Sequence, residues 1–299
     1  MRKTIKHEHH QFEAYSPKRA FIIGIALNSA FVIVEFAAGF WQHSLGLLSD
    51  AGHNLGDVAS LMLAMLAFRL AEVHPTSSYT YGFKKSTVLV SLLNAVILLV
   101  AVGIIIAESI SKFITPQAVE GSTIAWVAGI GVIINAITAW LFMSGKDKDL
   151  NIKGAYLHMA ADALVSIGVV VSGIIIAQTQ WYIVDPIIGF IIALIIIYST
   201  WGLLRNSLRL SLDGVPEGIN INKIIQSISA INGIENIHHL HIWAISTTET
   251  ALTAHVLIKD AQQMSPIKHQ IKDKLMEMGI QHVTLEFETE GTCYGECCS

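Results

Sequence analysis

The chain has 299 residues, a formal net charge of −4, 53% apolar residues and only 14% charged residues. With a mean hydropathy of +0.55 it is too apolar for an ordinary soluble domain and is typical of a protein embedded in a lipid bilayer. The net negative charge, together with the lack of a basic patch in the more polar C-terminal part, argues against nucleic-acid binding.

Six apolar segments of about 20 residues or more follow one another, and this is the length that an α-helix needs to cross a bilayer. The segments are Ala20–Trp41, Leu45–Phe68, Val88–Ala107, Ile124–Phe142, Ile152–Ala177 and Ile183–Leu204. Only the tripeptide QHS separates the first two, which predicts a tight helical hairpin. The first apolar run is too long for a cleaved signal peptide, and no small-residue cleavage site follows it. We therefore predict an α-helical membrane protein with six transmembrane helices.

Lysine and arginine are concentrated in alternate connections between the segments. The basic residues on one side of the membrane are Arg2, Lys3, Lys6, Lys18, Arg19, Arg69, Lys84, Lys85, Lys146, Lys148, Lys153, Arg205 and Arg209. The connections on the other side hold only Lys112. Because basic loops stay in the cytoplasm, this pattern predicts cytoplasmic N- and C-termini. The compact loops and the lack of an organelle-sorting signal favour a bacterial inner membrane.

The composition changes after the sixth segment, where the turn-rich sequence DGVPEG leads into a more polar region. We expect a histidine-containing tail at 1–17, the transmembrane domain at 18–212, a cytoplasmic domain at 213–290 and a cysteine-containing tail at 291–299.

The region after the boundary predicts a small α+β domain. INKIIQSISAI has the apolar spacing of an amphipathic helix, and IENIHHLHIWAIS and ETALTAHVLIK have the composition of strands joined by a short polar turn. SPIKHQIKDKLMEMG predicts a helix with Ser265 as N-cap, Pro266 at its first position and Gly279 at its end. QHVTLEFE predicts a last strand. The order α-β-β-α-β is that of a sheet backed by helices, of the ferredoxin-like or metallochaperone-like type.

Two apolar segments carry the same polar pattern, HxxxD. HNLGD supplies His53 and Asp57, and HMAAD supplies His158 and Asp162. An ionised aspartate at mid-bilayer costs on the order of 2.5–3.5 kcal/mol, so such residues indicate function. A spacing of four places both side chains of a pair on one helix face. Since the second and fifth segments cross the membrane in opposite directions, we expect the two faces to meet near its middle.

Two imidazoles and two carboxylates are a ligand set that a tetrahedral Zn²⁺ site accepts, and the two negative charges balance the ion. The alternative interpretation is that each pair makes an interhelical hydrogen bond or lines a water-filled cavity. Asp50 lies one turn outward of His53, where it lines an outward path or caps the helix. For Glu35 in the first segment, accepting a hydrogen bond from Asn28 or from a neighbouring helix is favoured over a role in proton exchange.

Five motifs together resemble the cation diffusion facilitator family, and specifically its zinc-transporting branch. They are SLGLLSDAGHNLGD after a glutamate-bearing first segment, TYGFKK, the second HxxxD, LDGVPEG and HHLHIW, and they cover the chain from about Lys18 to Glu288. The resemblance implies a homodimeric exporter, not an enzyme, that moves Zn²⁺ out of the cytoplasm in exchange for protons. It also implies that His53, Asp57, His158 and Asp162 form the transport site.

The cargo and the mechanism follow from the ligands that the resemblance implies. Members with aspartate in place of the first histidine are associated with other ions, including Mn²⁺, so the pattern here favours Zn²⁺, with Cd²⁺ and Co²⁺ as minor cargo. Mg²⁺ prefers shells made only of oxygen. Protons and metal compete for the same ligands, which couples export to the proton gradient.

Two other classes of protein remain as alternatives. An intramembrane metallohydrolase needs a free base beside an open metal position, as in HExxH, and no such motif occurs. A membrane metal sensor that responds through its soluble domain is the other.

The resemblance also implies a metal site in the cytoplasmic domain, at His238, His255, Glu286 and Glu288, with His269 nearby. The alternative is that these are surface histidines without a ligand. Because residues of a strand alternate between faces, we expect His239 to point away from His238 and His241.

The remaining predictions concern the junction between the domains and the two tails. By resemblance, Lys85 and Asp213 form a charge interlock, whereas Tyr79 and Phe83 stand where some members have histidine metal ligands. The N-terminal tail has three histidines, and the C-terminal tail has Cys293, Cys297 and Cys298. In a reducing cytoplasm the thiols would capture metal rather than form disulfides, or have no role.

Overall fold

The computed structural model describes residues 17–41, 45–114, 122–181 and 183–289. Within these ranges the chain forms eight α-helices and one three-stranded sheet. The first six helices are α1 Pro17–Trp41, α2 Leu45–Ala71, α3 Ser86–Ile114, α4 Ser122–Met143, α5 Leu150–Thr179 and α6 Val184–Ser211.

The six long helices coincide with the six predicted segments, most of them extending beyond the predicted ends. Five of them, α1, α2, α3, α5 and α6, contain described stretches long and apolar enough to cross a membrane. In α4 the described apolar stretch is Gly129–Met143, since the side chains at its start are outside the described set. Many large apolar side chains on these helices are exposed, among them Ile33, Phe36, Ile104 and Leu194. Lipid covers such surfaces in a bilayer, so the prediction of a helical membrane protein is confirmed.

The transmembrane helices pack in pairs. α1 lies along α2, α3 along α6 and α4 along α5, while α2 also contacts α5. At one end of the bundle Phe21 of α1 and Phe142 of α4 bring their ring centroids within 4.8 Å, and both rings are fully buried. The same buried cluster includes Leu61 of α2 and Met159 of α5, the two helices that carry the HxxxD pairs.

The C-terminal domain has the predicted order of elements. It consists of α7 Ile221–Ser229, β1 Ile234–Ala244, β2 Thr250–Ile258, α8 Met264–Glu277 and β3 His282–Glu288. The strand order is β1-β2-β3, with β1 and β2 antiparallel and β2 and β3 parallel. The two helices cover the sheet through one apolar core, which includes Ile224, Ile228, Val256, Ile271 and Leu275.

The predicted N-cap of α8 is wrong. The helix begins at Met264, one residue before Ser265, because a short 3₁₀ turn at Ala261–Gln263 leads directly into it. Asp260 caps this turn, and its side chain accepts a hydrogen bond from the Gln262 amide at 2.9 Å. The other end is as expected: Gly279 follows the helix with a φ of +83°, a conformation that glycine adopts without strain.

Strand β1 also departs from the predicted alternation. His238 pairs with His255 but His241 pairs with Thr253, so β1 carries one extra residue between these pairs. His239 has a φ of +49°, as a residue in such a β-bulge can. The bulge turns the His239 ring toward His255, and the centroids of these two rings lie 4.9 Å apart. The centroid of the His239 ring lies 5.7 Å from that of His238. The prediction that His239 points away from His238 is therefore wrong.

Candidate metal centres

The first candidate centre lies between α2 and α5. His158 Nε2 is 2.6 Å from Asp57 Oδ1 and 3.6 Å from Asp162 Oδ2. One ligand atom from each of these three residues lies within 4.8 Å of the others, a spacing that a single metal ion can bridge. Asp57 and His158 are buried, and Asp162 is half-buried. The two helices thus bring together three of the four residues that the paired pattern predicts.

The fourth residue, His53, belongs to α2 one turn before Asp57, but its side chain is outside the described set. The same holds for the side chain of Asp50. The roles of both residues stay predictions.

The chemistry of the group fits a divalent cation. Two carboxylates flank one imidazole at a buried position, and Asp57 Oδ2 has no hydrogen-bond partner within the described part of the chain. A buried carboxylate oxygen without a partner is costly unless a cation or a proton satisfies it. The hydrogen bond between Asp57 and His158, which the alternative interpretation requires, is present, but it uses only one oxygen of Asp57.

Sequence reasoning missed one polar neighbour of this centre. Asn54 of α2 donates a hydrogen bond to Glu35 Oε2 of α1 at 2.6 Å. Glu35 is 3% exposed, so this bond ties α1 to the polar turn of α2. Asn28, which was the other expected donor, instead donates to the Gly24 carbonyl and to Thr138 Oγ1. The signal for Asn54 was its position directly after His53, in a helix where polar residues are few.

The second candidate centre spans the three strands of the C-terminal domain. His238 of β1 pairs with His255 of β2, which pairs with Glu286 of β3. Glu288 Oε1 is 2.7 Å from His255 Nδ1, and Glu288 Oε2 is 3.3 Å from His238 Nε2. Ligand atoms of these two histidines and Glu288 lie within 4.8 Å of one another. Two imidazoles and a carboxylate are ligands that Zn²⁺ prefers.

Two further predicted residues stand at different distances from this second centre. Glu286 is exposed, and its Oε2 lies 3.3 Å from His255 Nε2 at the rim. His269 lies on α8, where its Nδ1 is 2.8 Å from the Ser265 carbonyl one turn earlier. Among the residues that the structure describes, the ligand atoms of His269 do not lie within bridging distance of those of His238, His255 and Glu288.

A polar junction joins the transmembrane helices to the C-terminal domain. Lys85 Nζ lies 2.6 Å from Asp213 Oδ1 and also donates to the carbonyls of Leu210 at 2.8 Å and Ala244 at 3.1 Å. Beside it, Lys84 Nζ is 2.6 Å from Glu249 Oε2. Partial burial raises the pKa of Glu249, but hydrogen bonds from Lys84 and His282 outweigh it and hold that pKa below its ordinary value.

A third junction contact connects the hairpin between β1 and β2 to the start of α5. The Thr247 hydroxyl donates a hydrogen bond to Asp149. The backbone amide of Thr247 donates to Thr87 Oγ1 of α3 at 3.1 Å. Asp149 Oδ1 also accepts from the amides of Asn151 and Ile152, so Asp149 caps α5. Burial raises the pKa of Asp149 despite these bonds. Sequence reasoning did not pair Lys84 with Glu249 or Thr247 with Asp149, because these partners are distant in sequence.

The predicted tail residues lie outside the described residues. These are the N-terminal histidines His7, His9 and His10 and the three cysteines Cys293, Cys297 and Cys298.

Comparison with known proteins was made for both parts of the chain. The family model of the cation efflux transmembrane domain matches residues 21–210, and that of the cytoplasmic domain of cation efflux proteins matches residues 216–290. The chain is 36% identical over 286 residues to the cadmium, cobalt and zinc/H(+)-K(+) antiporter of Bacillus subtilis (strain 168), covering 94% of this chain and 92% of that protein. It is 32% identical over 299 residues to the zinc transporter ZitB of Escherichia coli (strain K12), covering 98% and 95% of the two chains. With the cation efflux system protein CzcD of Alcaligenes sp. (strain CT14), identity is 34% over 276 residues, or 91% and 86% of the two chains.

Proposed function

Because the chain belongs to the cation efflux family, also called the cation diffusion facilitators, we propose that it exports Zn²⁺ in exchange for protons through the site between α2 and α5. The family consists of membrane transporters and not of enzymes. The single observation that carries the proposal is the buried group of Asp57, His158 and Asp162, in which ligand atoms from two helices lie within bridging distance.

Zinc is the cargo that suits this group best. His53 of α2 supplies the fourth ligand, which completes a set of two imidazoles and two carboxylates for a tetrahedral ion. Two carboxylates neutralise the ion's charge inside the bilayer, and imidazole favours transition metals over Mg²⁺. The Bacillus relative is named a cadmium, cobalt and zinc antiporter and the Escherichia coli relative a zinc transporter, which supports the same class of cargo. Export of Cd²⁺, Co²⁺ or Mn²⁺ is the alternative within this class.

Proton exchange follows from what the ligands require. Metal binding needs ionised carboxylates and neutral imidazoles, so the site releases protons when the ion binds and takes protons up when the ion leaves. Alternating access presents the site to each side in turn. Since the two halves of the site lie on different helices, a movement of α2 against α5 changes both the ligand geometry and the side from which water reaches it. The word antiporter in the name of the Bacillus relative supports coupled exchange.

The remaining parts of the proposal concern the whole protein. Residues 18–212 form the transport domain of an integral protein of a bacterial inner membrane, with both termini in the cytoplasm. Residues 213–290 form a cytoplasmic domain through which two copies associate as a homodimer. In each copy His238, His255 and Glu288 hold a second Zn²⁺, with Glu286 at the rim.

Flux measurements in proteoliposomes test this function. Purified protein is reconstituted into lipid vesicles that enclose a zinc-sensitive dye, and Zn²⁺ is added outside under an imposed proton gradient. We expect zinc entry for the wild type and only background entry for Asp57→Asn, since the amide keeps the shape and the hydrogen bond but loses the charge. Glu72→Gln is the matched control, because Glu72 follows the last residue of the same helix, is exposed and pairs with Lys18. Zinc entry through Asp57→Asn at the wild-type rate would exclude the proposed site.

The same vesicles separate the alternatives. Repeating the assay with Cd²⁺, Co²⁺ and Mn²⁺ ranks the cargo. If no metal crosses while the detergent-solubilised protein still binds zinc at His238 and His255, the membrane metal sensor is the better interpretation.

A further inference from the structure

A cavity of about 400 Å³ lies where the transmembrane helices meet the C-terminal domain. Its walls come from the connection between α4 and α5, the first turn of α5, the last turns of α6, and the segment 216–218 that follows α6. None of these residues belongs to either candidate metal centre.

Four cationic side chains line this cavity: Lys146, Lys148, Lys153 and Arg209. Three of them are half-buried and only Lys148 is fully exposed. Within the described parts of the chain none of the four makes a salt bridge, although the Lys146 Nζ lies 4.5 Å from the ring centroid of Tyr156. Four neighbouring cations without salt-bridge partners leave the cavity with an excess of positive charge, which favours an anion.

Three carboxylates also line the cavity, one fewer than the cations, and within the described parts of the chain none of them forms a salt bridge with a cation of the cavity. Asp149 accepts hydrogen bonds from Thr247 and from the amides of Asn151 and Ile152. Glu217 accepts a hydrogen bond from Asn206. Both carboxylates are thus satisfied by neutral donors. Asp147 is exposed to solvent.

The position of Arg209 is fixed by the chain that follows α6. Gly214 donates its amide to the Arg209 carbonyl at 2.8 Å, and a Cβ added at Gly214 would come within 2.6 Å of Arg209 Cγ. The stem of Arg209 is therefore held against this segment, and Arg209 is one of the residues that line the cavity. Guanidinium is the side-chain group best suited to bidentate binding of phosphate.

The position of the cavity along the helices suits contact with lipid headgroups. It is built on the ends of two candidate membrane spans, Leu150–Ser172 and Pro186–Ser211. Next to Arg209, Leu208 is 47% exposed and Leu212 is 74% exposed, which leaves an apolar surface beside the cations. Basic pockets at this depth, next to apolar surface, suit the head group and the acyl chains of an anionic lipid.

We propose that this cavity binds a phosphate-bearing anion, and specifically the headgroup of an anionic phospholipid from the leaflet on the side of the C-terminal domain. The phosphate lies among Lys153, Arg209 and the lysines of the α4–α5 connection, and the acyl chains follow the exposed leucines of α6. A bound headgroup there links α5, α6 and the segment 216–218 through one ligand. The same chemistry would accept a soluble phosphate, so the test includes both sources.

Native mass spectrometry of the full-length protein in detergent tests the site. The probes are phosphatidylglycerol, phosphatidylcholine and inorganic phosphate. The test variant combines Lys153→Gln with Arg209→Gln. The control combines Lys259→Gln with Lys272→Gln, two exposed lysines of the C-terminal domain that lie outside the cavity. We expect the test variant to bind phosphatidylglycerol about tenfold more weakly than the wild type and the control, with phosphatidylcholine unchanged.

Each outcome decides the proposal. If the test variant weakens the binding of phosphatidylglycerol and inorganic phosphate does not displace the lipid, the result supports a lipid as the ligand. Variant-sensitive binding of phosphate without the lipid keeps the anion site but assigns it to a soluble ligand. Equal binding of both probes by the wild type and the test variant overturns the proposal. If the test variant does not fold, Lys146→Gln with Lys148→Gln, in the α4–α5 connection that lines the same cavity, takes its place and carries the same expectation.

Discussion

The negative charge of Asp162 is expected to be needed for zinc transport but not for the stability of the fold. It shares the α5 face with His158, and its Oδ2 lies 3.6 Å from His158 Nε2. We predict that Asp162→Asn abolishes zinc flux, because the site loses one of two charges that balance the ion, while the protein remains folded. The thermal midpoint in detergent should stay level or rise, since a charge is removed from the membrane interior. A large fall in the midpoint would mean that the residue has a structural role instead.

Residue spacing carried much of the prediction of this site, and its limits are visible in the same chain. The i, i+4 rule places His158 and Asp162 on one face because helix geometry is local. The alternation rule failed at His239, because a β-bulge adds one residue to β1 and no local signal marks it. The rule for N-caps failed at Ser265, because Asp260 and a 3₁₀ turn start the helical path earlier.

At the scale of elements, α5 begins at a buried cap. Asp149 accepts from the amides of Asn151 at 2.7 Å and Ile152 at 3.3 Å and also binds Thr247. We predict that Asp149→Ala destabilises the protein by about 1–2 kcal/mol, through loss of the cap and of the partner of Thr247. Thermal unfolding in detergent measures the change.

Asp149→Asn is the matched variant, because an asparagine can still cap the helix. Since burial raises the pKa of Asp149, its ionised form opposes folding, and the neutral amide avoids that cost. We expect Asp149→Asn to unfold within a few tenths of a kcal/mol of the wild type. An equal loss for both variants would show that the charge, rather than the cap, matters.

The pairing of elements was predictable only where the sequence repeats a pattern. The shared HxxxD motif indicated that α2 meets α5, and the charge pattern of the loops agreed with six spans. The contact between the β1–β2 hairpin and α5 joins residues 98 positions apart, Thr247 and Asp149, and neither has a composition that marks it as a partner. Contacts of this kind depend on how the two domains dock.

At the scale of the whole molecule, the junction depends on two adjacent lysines with different partners. Lys85 bonds Asp213 and two carbonyls, those of Leu210 and Ala244. We predict that Lys85→Met lowers the thermal midpoint more than Asp213→Asn does, because methionine leaves all three acceptors without their donor. Zinc flux in proteoliposomes should fall in the same order. Equal effects of the two variants would mean that the ion pair alone holds the junction.

Glu249 makes the junction sensitive to acid. Its pKa lies below the ordinary value of 4.5 in the folded protein, so its contribution to stability is present above that value and is lost as the pH falls through the folded pKa. We predict that Glu249→Gln lowers the free energy of unfolding at neutral pH by less than about 1 kcal/mol for this partly exposed pair, and thermal unfolding in detergent measures the change. The difference between the variant and the wild type should vanish below the folded pKa. A difference that persists in acid would contradict the assigned charge.

The central claim is that zinc and protons exchange through the group of Asp57, His158 and Asp162, and its most direct test follows both ions in the same vesicles. Proteoliposomes are loaded with a zinc-sensitive dye and a pH-sensitive dye, and Zn²⁺ is added outside. We predict that zinc entry raises the pH inside as protons leave, and that both signals disappear in Asp57→Asn but persist in Glu72→Gln. Zinc entry without proton exit in the wild type would contradict the account. So would zinc entry and proton exit at the wild-type level in Asp57→Asn.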